Sequence, residues 1–119
     1  MAKASKIPPR KLELYDRLIA TIPSIERKGV TLPYTSLNGN MFTFLSDTGS
    51  MAIRLPAEEL ERFMKKYRTK LYERQGTVLK EYVVVPARLL EKTKELKPYL
   101  DTSYEYTKTL KPKPTKRKK

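Results

Sequence analysis

The segment 34–55 constrains the fold most, because its apolar residues recur with a period of two and turn sequences interrupt it twice. The first turn sequence is Asn38-Gly39-Asn40, and Asn-Gly readily adopts the positive φ angles that a tight hairpin turn requires. It predicts that strands Tyr34–Leu37 and Asn40–Leu45 pair as a hairpin. The second turn sequence, Asp47-Thr48-Gly49, predicts that a third strand follows.

Proline directly follows two predicted strands, and each proline marks the start of a helix because its fixed φ and missing N–H suit the first helical turn. The third strand, Met51 to Leu55 with Arg54 pointing away from the core, leads into a helix from Pro56 to about Tyr67. A fourth strand, Leu79–Val85, ends in a run that is apolar on both faces. It is therefore predicted to be an inner strand covered on both sides, and Pro86 opens the helix after it.

Helical periodicity recurs near both ends of the chain. It predicts a first helix over Lys11–Ile22, ended by Pro23, and a last helical segment that Pro98 either starts or kinks. Residues 24–33 have no clear period and are expected to form a loop or a short edge element. The predicted element order is α-β-β-β-α-β-α(α), which is typical of the α+β class. The predicted stripe of the first helix is Leu12, Tyr15, Leu18, Ile19 and Ile22, and that of the last is Leu96, Leu100, Ser103, Thr107 and Leu110.

Several kinds of chemistry are excluded by composition, because the 119 residues include no histidine and no cysteine. The usual zinc, haem and iron–sulfur ligand sets, a Ser-His-Asp triad and a cysteine nucleophile therefore cannot be assembled. The glycines are too scattered for a phosphate-binding loop, and the carboxylates lie beside lysines on predicted helices. We therefore predict no catalytic residue, no cofactor and no metal. The polar start and the lack of a long apolar run predict a cytoplasmic protein that does not enter a membrane.

The positive charge lies mostly at the two ends of the chain. The net charge is +13, from 26 lysines and arginines against 13 acidic residues. Residues 1–11 contain four basic residues and residues 108–119 contain seven, with no acid in either stretch, whereas residues 12–107 contain 15 basic and 13 acidic residues. This distribution predicts a flexible basic N-terminus over 1–10, a folded domain over 11–110 and a disordered basic tail over 111–119.

One cluster of positive charge lies inside the predicted domain, at the end of the second helix and in the loop after it. Only Glu61 and Glu73 accompany its six basic residues. Such a cluster binds phosphates by releasing condensed counterions, but a solvated helix face has the same composition. The candidate nucleic-acid contacts are Arg62, Lys65, Lys66, Arg68, Lys70 and Arg74 in the cluster, and Lys111, Lys113, Lys116, Arg117, Lys118 and Lys119 in the tail.

A set of short motifs covers most of the chain: Gly39-Asn40-Met41-Phe42, then residues 51–56 and 80–86, each a strand ending in proline, and Ser103-Tyr104 ahead of residues 110–115. Together they resemble the N-terminal domain family of the bacterial competence regulator TfoX and the related YjbR-like proteins. Thr43 and Phe44 stand where the family has Gly-Gly, which indicates a divergent branch. The resemblance implies a single two-layer α+β domain with a curved antiparallel sheet packed by helices. It also implies no established catalysis and a suspected link to transcription or nucleic acid.

These observations favour a small binding module over an enzyme, with nucleic acid as the favoured partner through the cluster and the tail. The alternatives are a protein-interaction module with an acidic partner or with its own copy, and a small-molecule pocket between sheet and helices. Aromatic residues also raise the possibility of base stacking. Phe42, Phe44, Phe63 and Tyr67 are predicted core residues, whereas Tyr34, Tyr72, Tyr99, Tyr104 and Tyr106 are open to either role.

Overall fold

The structure is a computed structural model that describes residues 7–29, 33–37, 39–46, 49–74 and 76–111. Its strands form one antiparallel sheet in the order β1-β2-β3-β5-β4. The predicted α+β fold class is confirmed, and so is the hairpin of the first two strands. In chain order the elements are α1 (Pro9–Ile19), β1 (Tyr34–Leu37), β2 (Asn40–Leu45), β3 (Met51–Arg54), α2 (Ala57–Tyr67), β4 (Leu71–Arg74), β5 (Thr77–Val85), α3 (Ala87–Leu90) and α4 (Thr93–Lys108).

The helices form one layer against one face of the sheet. Every helix contributes side chains to a single hydrophobic cluster, which also takes in Ile53 of β3 and Val83 and Val85 of β5. We call the opposite side of the sheet the open face, because no described helix packs on it. β5 is an inner strand, as predicted, but helices cover only one of its faces, and Val84 on the open face is half-buried.

β4 is the element that the sequence did not reveal. Leu71–Arg74 was expected to lie in a loop, but it pairs with β5, with Leu71 opposite Val83 and Tyr72 opposite Leu79. The register therefore shifts between Leu71 and Tyr72, and such irregularities bend the longer strand. A four-residue strand with charged residues is too short to show a recognisable hydrophobic pattern. Its conformation is determined by the strand with which it pairs, which the sequence does not identify.

The helix boundaries also differ from those expected. α1 begins at Pro9, which occupies the first helical turn, and Ile7 before it is only 5% exposed. The folded domain therefore includes residues 7–10, ahead of the predicted start at residue 11, while residues 1–6 lie outside the described part. α4 begins at Thr93 and contains Pro98 in its interior, so this proline does not start the helix.

A buried chain of hydroxyl groups ties the helix layer to the sheet. The Tyr15 Oη atom lies 2.8 Å from Thr43 Oγ1, which lies 2.6 Å from Thr35 Oγ1. All three side chains are fully buried, and buried hydroxyls need such partners. Burial raises the pKa of Tyr15 well above its ordinary value of 10, so the phenol stays protonated as a possible donor.

Candidate nucleic-acid interface

Charges on α2 are ordered along the helix axis. Glu58 and Glu59 lie in the first turn, and Lys65 and Lys66 lie in the last turn. This order complements the helix macrodipole and so has a structural explanation. Arg62 is 67% exposed but lies 2.8 Å from Glu59 and 3.9 Å from Glu58. Of the predicted contacts in the cluster, Arg62 is therefore the one already paired on its own helix.

The four cations that follow Arg62 have a different environment. Lys65, Lys66, Arg68 and Lys70 are exposed, and none forms an ion pair with an acidic group in the part of the chain that the structure describes. Lys66 Nζ instead lies 5.4 Å from the centre of the Tyr67 ring. We call these four residues the basic turn. A group of like charges without acidic partners creates a local positive potential that attracts anions.

Arg68 has an unusual backbone conformation. It ends α2 at φ 54° and ψ 49°, in the left-handed region, and its N–H donates to the Met64 carbonyl. Among the described residues it is the non-glycine residue with positive φ. Glycine is the common residue at this position after a helix, because a side chain there costs about 1 kcal/mol. The fold alone would be better served by glycine, so the arginine side chain is a candidate for a surface role.

Other exposed cations on the helices lie among acids. Lys97 pairs with Asp101, and Lys108 pairs with Glu105. Arg10 and Arg17 both pair with Glu13 on α1. The cations around the start of α4, namely Arg88, Lys92 and Lys94, have Glu91 and Glu95 among them in sequence. The basic turn thus differs from the rest of the helix surface in the density of its positive charge.

The basic turn borders the open face at the β4 edge of the sheet. Residues 68–70 connect α2 to β4, and the Lys70 carbonyl accepts a hydrogen bond from the Val84 N–H at 2.9 Å. Leu71 packs against the helix-side core, whereas the Tyr72 ring contacts Phe44 of the open face. Leu71 stands opposite Val83 and the Lys70 carbonyl binds the Val84 N–H, so Lys70 lies opposite Val84 at the open face.

Aromatic rings dominate the open face. Phe44 is 7% exposed although it lies outside the cluster beneath the helices. The Tyr72 ring meets it edge-on with centroids 4.8 Å apart, and the Tyr82 ring lies 5.8 Å away. Tyr34 stands directly opposite Phe44 on β1. Phe44 is buried by these neighbours, while the three tyrosines are half-buried.

A network of polar groups that includes Tyr106 of the helix layer neutralises Arg54 at the end of β3. Arg54 is 15% exposed and its Nε lies 2.6 Å from Glu81 Oε1. Tyr106 donates to Glu81 Oε2 at 3.0 Å, and burial followed by this carboxylate raises the pKa of Tyr106. Burial likewise raises the pKa of Tyr82, although Arg54 opposes the shift. Arg54, Glu81 and Tyr106 are thus bonded to one another, which gives them a structural role.

Of the remaining predicted contacts, Lys111 lies away from the basic turn, and the side chains of the others are outside the described part of the structure. Arg74 lies in β4, and its side chain is outside the described part of the structure. Lys111 is exposed, and its carbonyl accepts a hydrogen bond from Asn40 Nδ2 at 2.9 Å, so it lies at β2, which β3 and β5 separate from β4. The tail residues Lys113, Lys116, Arg117, Lys118 and Lys119 lie outside the described residues.

Comparisons of the chain with protein-family models, curated proteins and solved structures gave no match. The resemblance to the TfoX N-terminal family therefore stays a prediction. None of the helices described is long and apolar enough to cross a membrane. Within the described ranges, the acidic side chains form no group of three or more that could hold a metal ion.

Proposed function

We propose that this chain is a non-enzymatic module that binds the nucleic-acid backbone, with the basic turn as its principal contact. The observation that carries the proposal is the density of unpaired cations: Lys65, Lys66, Arg68 and Lys70 lie within six residues, and none has an acidic partner among the described residues. Lysine and arginine bind phosphate oxygens and release condensed counterions, which supplies affinity without sequence preference. On its resemblance alone, we extend the proposal to a TfoX-like role linked to transcription or competence.

The basic turn is suited to this contact by its position. Lys65 and Lys66 project from the last turn of a helix, and Arg68 and Lys70 follow in the connection to an edge strand. A phosphate chain that runs along this edge can therefore meet charges from two elements in succession. The N-terminal half of α2 carries Glu58 and Glu59, which would repel a phosphate chain that ran along the helix axis.

The proposal is tested by fluorescence anisotropy with random-sequence oligonucleotides and the full chain. In one variant Lys65, Lys66 and Lys70 are replaced by glutamine. The matched control replaces Arg88, Lys92 and Lys94 by glutamine, which removes the same charge from another exposed region. We expect binding to weaken strongly in the first variant and little in the control. Equal weakening in both would contradict a specific role of the basic turn.

A third variant separates the tail from the fold. It replaces the tail cations Lys113, Lys116, Arg117, Lys118 and Lys119 by glutamine and leaves the chain length unchanged. We expect this variant to keep part of its affinity. Complete loss would assign binding to the tail, and absence of binding by the unmodified chain would favour an acidic protein or a second copy as the partner.

A further inference from the structure

We infer that the open face is a stacking platform for unpaired bases, so that the preferred ligand of the chain is single-stranded nucleic acid. This inference rests on the proposed function, because the phosphates of the same strand would lie on the basic turn. It adds a second kind of contact, between the bases and three half-buried tyrosines, Tyr34, Tyr72 and Tyr82.

The Tyr82 side chain lies along the sheet surface instead of standing on it. Tyr82 is on β5, yet its Oη atom is 2.7 Å from the carbonyl oxygen of Met41 on β2, and β3 runs between these strands. Two strand spacings amount to about 9–10 Å. The hydroxyl can therefore reach the Met41 carbonyl only when the Tyr82 side chain lies flat towards β2. The Arg54 Cζ atom lies over this ring, 5.5 Å from its centre, so a ligand on the open face can contact only the remaining accessible part of the half-buried ring.

Tyr72 and Tyr34 extend the aromatic surface on either side of Phe44. The Tyr72 ring is nearly perpendicular to the Phe44 ring, at an interplanar angle of 86°. Tyr34 lies on the neighbouring strand, directly opposite Phe44. Phe44 packs against the Tyr72 and Tyr82 rings and is nearly inaccessible, so it supports the platform. The accessible parts of the tyrosine rings are the surfaces that bases can contact.

The positive charges next to this surface are placed to bind the phosphates of a nucleic-acid strand that lies across it. Lys70 directly precedes β4 and lies opposite Val84 at the open face, two residues before Tyr72, so the Cα atoms of Lys70 and Tyr72 are at most about 7 Å apart. A nucleotide held at this point can place its phosphate at Lys70 and its base at Tyr72. Arg54 at the far end is paired with Glu81, so the platform adds stacking and little charge of its own.

Stacking on side chains requires unpaired bases. In a duplex the base faces are already stacked on each other, so flat aromatic side chains contact bases of single strands. Every base has a face that can stack, and affinity of this kind tolerates any sequence. The open face therefore favours a single strand of any sequence over a duplex.

The first test compares three labelled ligands of equal length on the full chain: oligothymidylate, an abasic strand with the same phosphates, and a random duplex. We expect oligothymidylate to bind on the order of tenfold more tightly than the abasic strand, because each stacked base adds affinity. Equal binding of oligothymidylate and the abasic strand would overturn the platform but leave phosphate binding intact. No binding of any ligand would overturn both.

The second test uses variants that keep the open face apolar. Replacing Tyr72 or Tyr82 by leucine should reduce oligothymidylate binding towards that of the abasic strand, whereas Tyr72→Phe should not. Tyr99→Leu is the matched control, because Tyr99 is a half-buried tyrosine in the helix layer, in ring contact with Phe63. Unchanged binding in both leucine variants would overturn the platform.

Discussion

The phenol of Tyr82 donates a 2.7 Å hydrogen bond to the carbonyl oxygen of Met41, from β5 across β3 to β2. Most tyrosines of a sheet stand up from their own strand, but this one ties two non-adjacent strands together. The bond fixes the ring on the open face. It also gives the Met41 carbonyl a hydrogen-bond partner on the side of β2 that no described helix covers.

Replacing Tyr82 by phenylalanine should lower the free energy of unfolding by about 1 kcal/mol, the usual value of one internal hydrogen bond. The ring is retained, so binding to oligothymidylate should change little. Urea unfolding followed by circular dichroism measures the first effect. Tyr104→Phe is the control and should be nearly neutral, because among the described residues its hydroxyl is hydrogen-bonded to the exposed Ser24 alone, at 3.1 Å. Equal stability of both variants would argue against the Met41 bond.

Arg68→Gly should stabilise the protein and weaken its function at the same time. Glycine relieves the left-handed strain at φ 54°, and we expect a gain of about 0.5–1 kcal/mol in the free energy of unfolding. The same substitution removes one charge of the basic turn, so affinity for an oligonucleotide should fall. A thermal melt and an anisotropy titration measure the two effects. Unchanged affinity would exclude Arg68 from the interface.

The aromatic pair of Phe44 and Tyr72 should be energetically coupled. Their rings meet edge-on at 4.8 Å, an arrangement that contributes about 0.5–1.5 kcal/mol beyond the buried area. A double-mutant cycle of Phe44→Leu and Tyr72→Leu, measured by urea unfolding, isolates this coupling. Additive losses would show that Tyr72 does not cover Phe44 in solution, and the platform would then lack its support.

Tyr15 should make the fold sensitive to alkaline pH. Burial raises its pKa in the folded state, so the folded chain keeps the proton that the unfolded chain releases above about pH 10. Stability is therefore complete below pH 10 and falls as the pH rises further, by up to about 1.4 kcal/mol per pH unit for one such group.

Tyr15→Phe tests this contribution. The variant should be less stable near neutral pH by about 1–2 kcal/mol, because Thr43 loses one of its two hydrogen-bond partners in the buried hydroxyl chain. Its free energy of unfolding should then fall less steeply above pH 10 than that of the unmodified chain. Parallel curves for the two proteins would contradict a buried, protonated Tyr15.

Part of the fold could be read from the sequence because the relevant interactions are local. Turn chemistry at Gly39, which has φ +80°, defines the first hairpin, and Pro56 and Pro86 directly precede their helices. β4 was missed because its conformation comes from pairing with β5. Phe42 and Phe44 share one face in a regular strand, but a register shift in the β1–β2 pair turns Phe42 towards Tyr104 of α4 and leaves Phe44 on the open face.

The candidate site was predictable only as a composition. The sequence shows six basic residues between Arg62 and Arg74, but not that Arg62 is paired with Glu59 or that Arg68 has a left-handed backbone. The tyrosines of the open face could not be grouped from the sequence either. Their proximity depends on the register of three strands and on the flat position of Tyr82, which are long-range properties.

The most direct test of the proposed function is the salt dependence of oligonucleotide binding. The logarithm of the observed association constant should fall linearly with the logarithm of salt concentration, with a slope of about 0.7 per contacted phosphate of a single strand. Replacing Lys65, Lys66 and Lys70 by glutamine should reduce the magnitude of this slope by about 2, and the variant of Arg88, Lys92 and Lys94 should leave it unchanged. Identical slopes for the unmodified chain and the basic-turn variant would contradict the central claim that these cations hold the phosphate backbone.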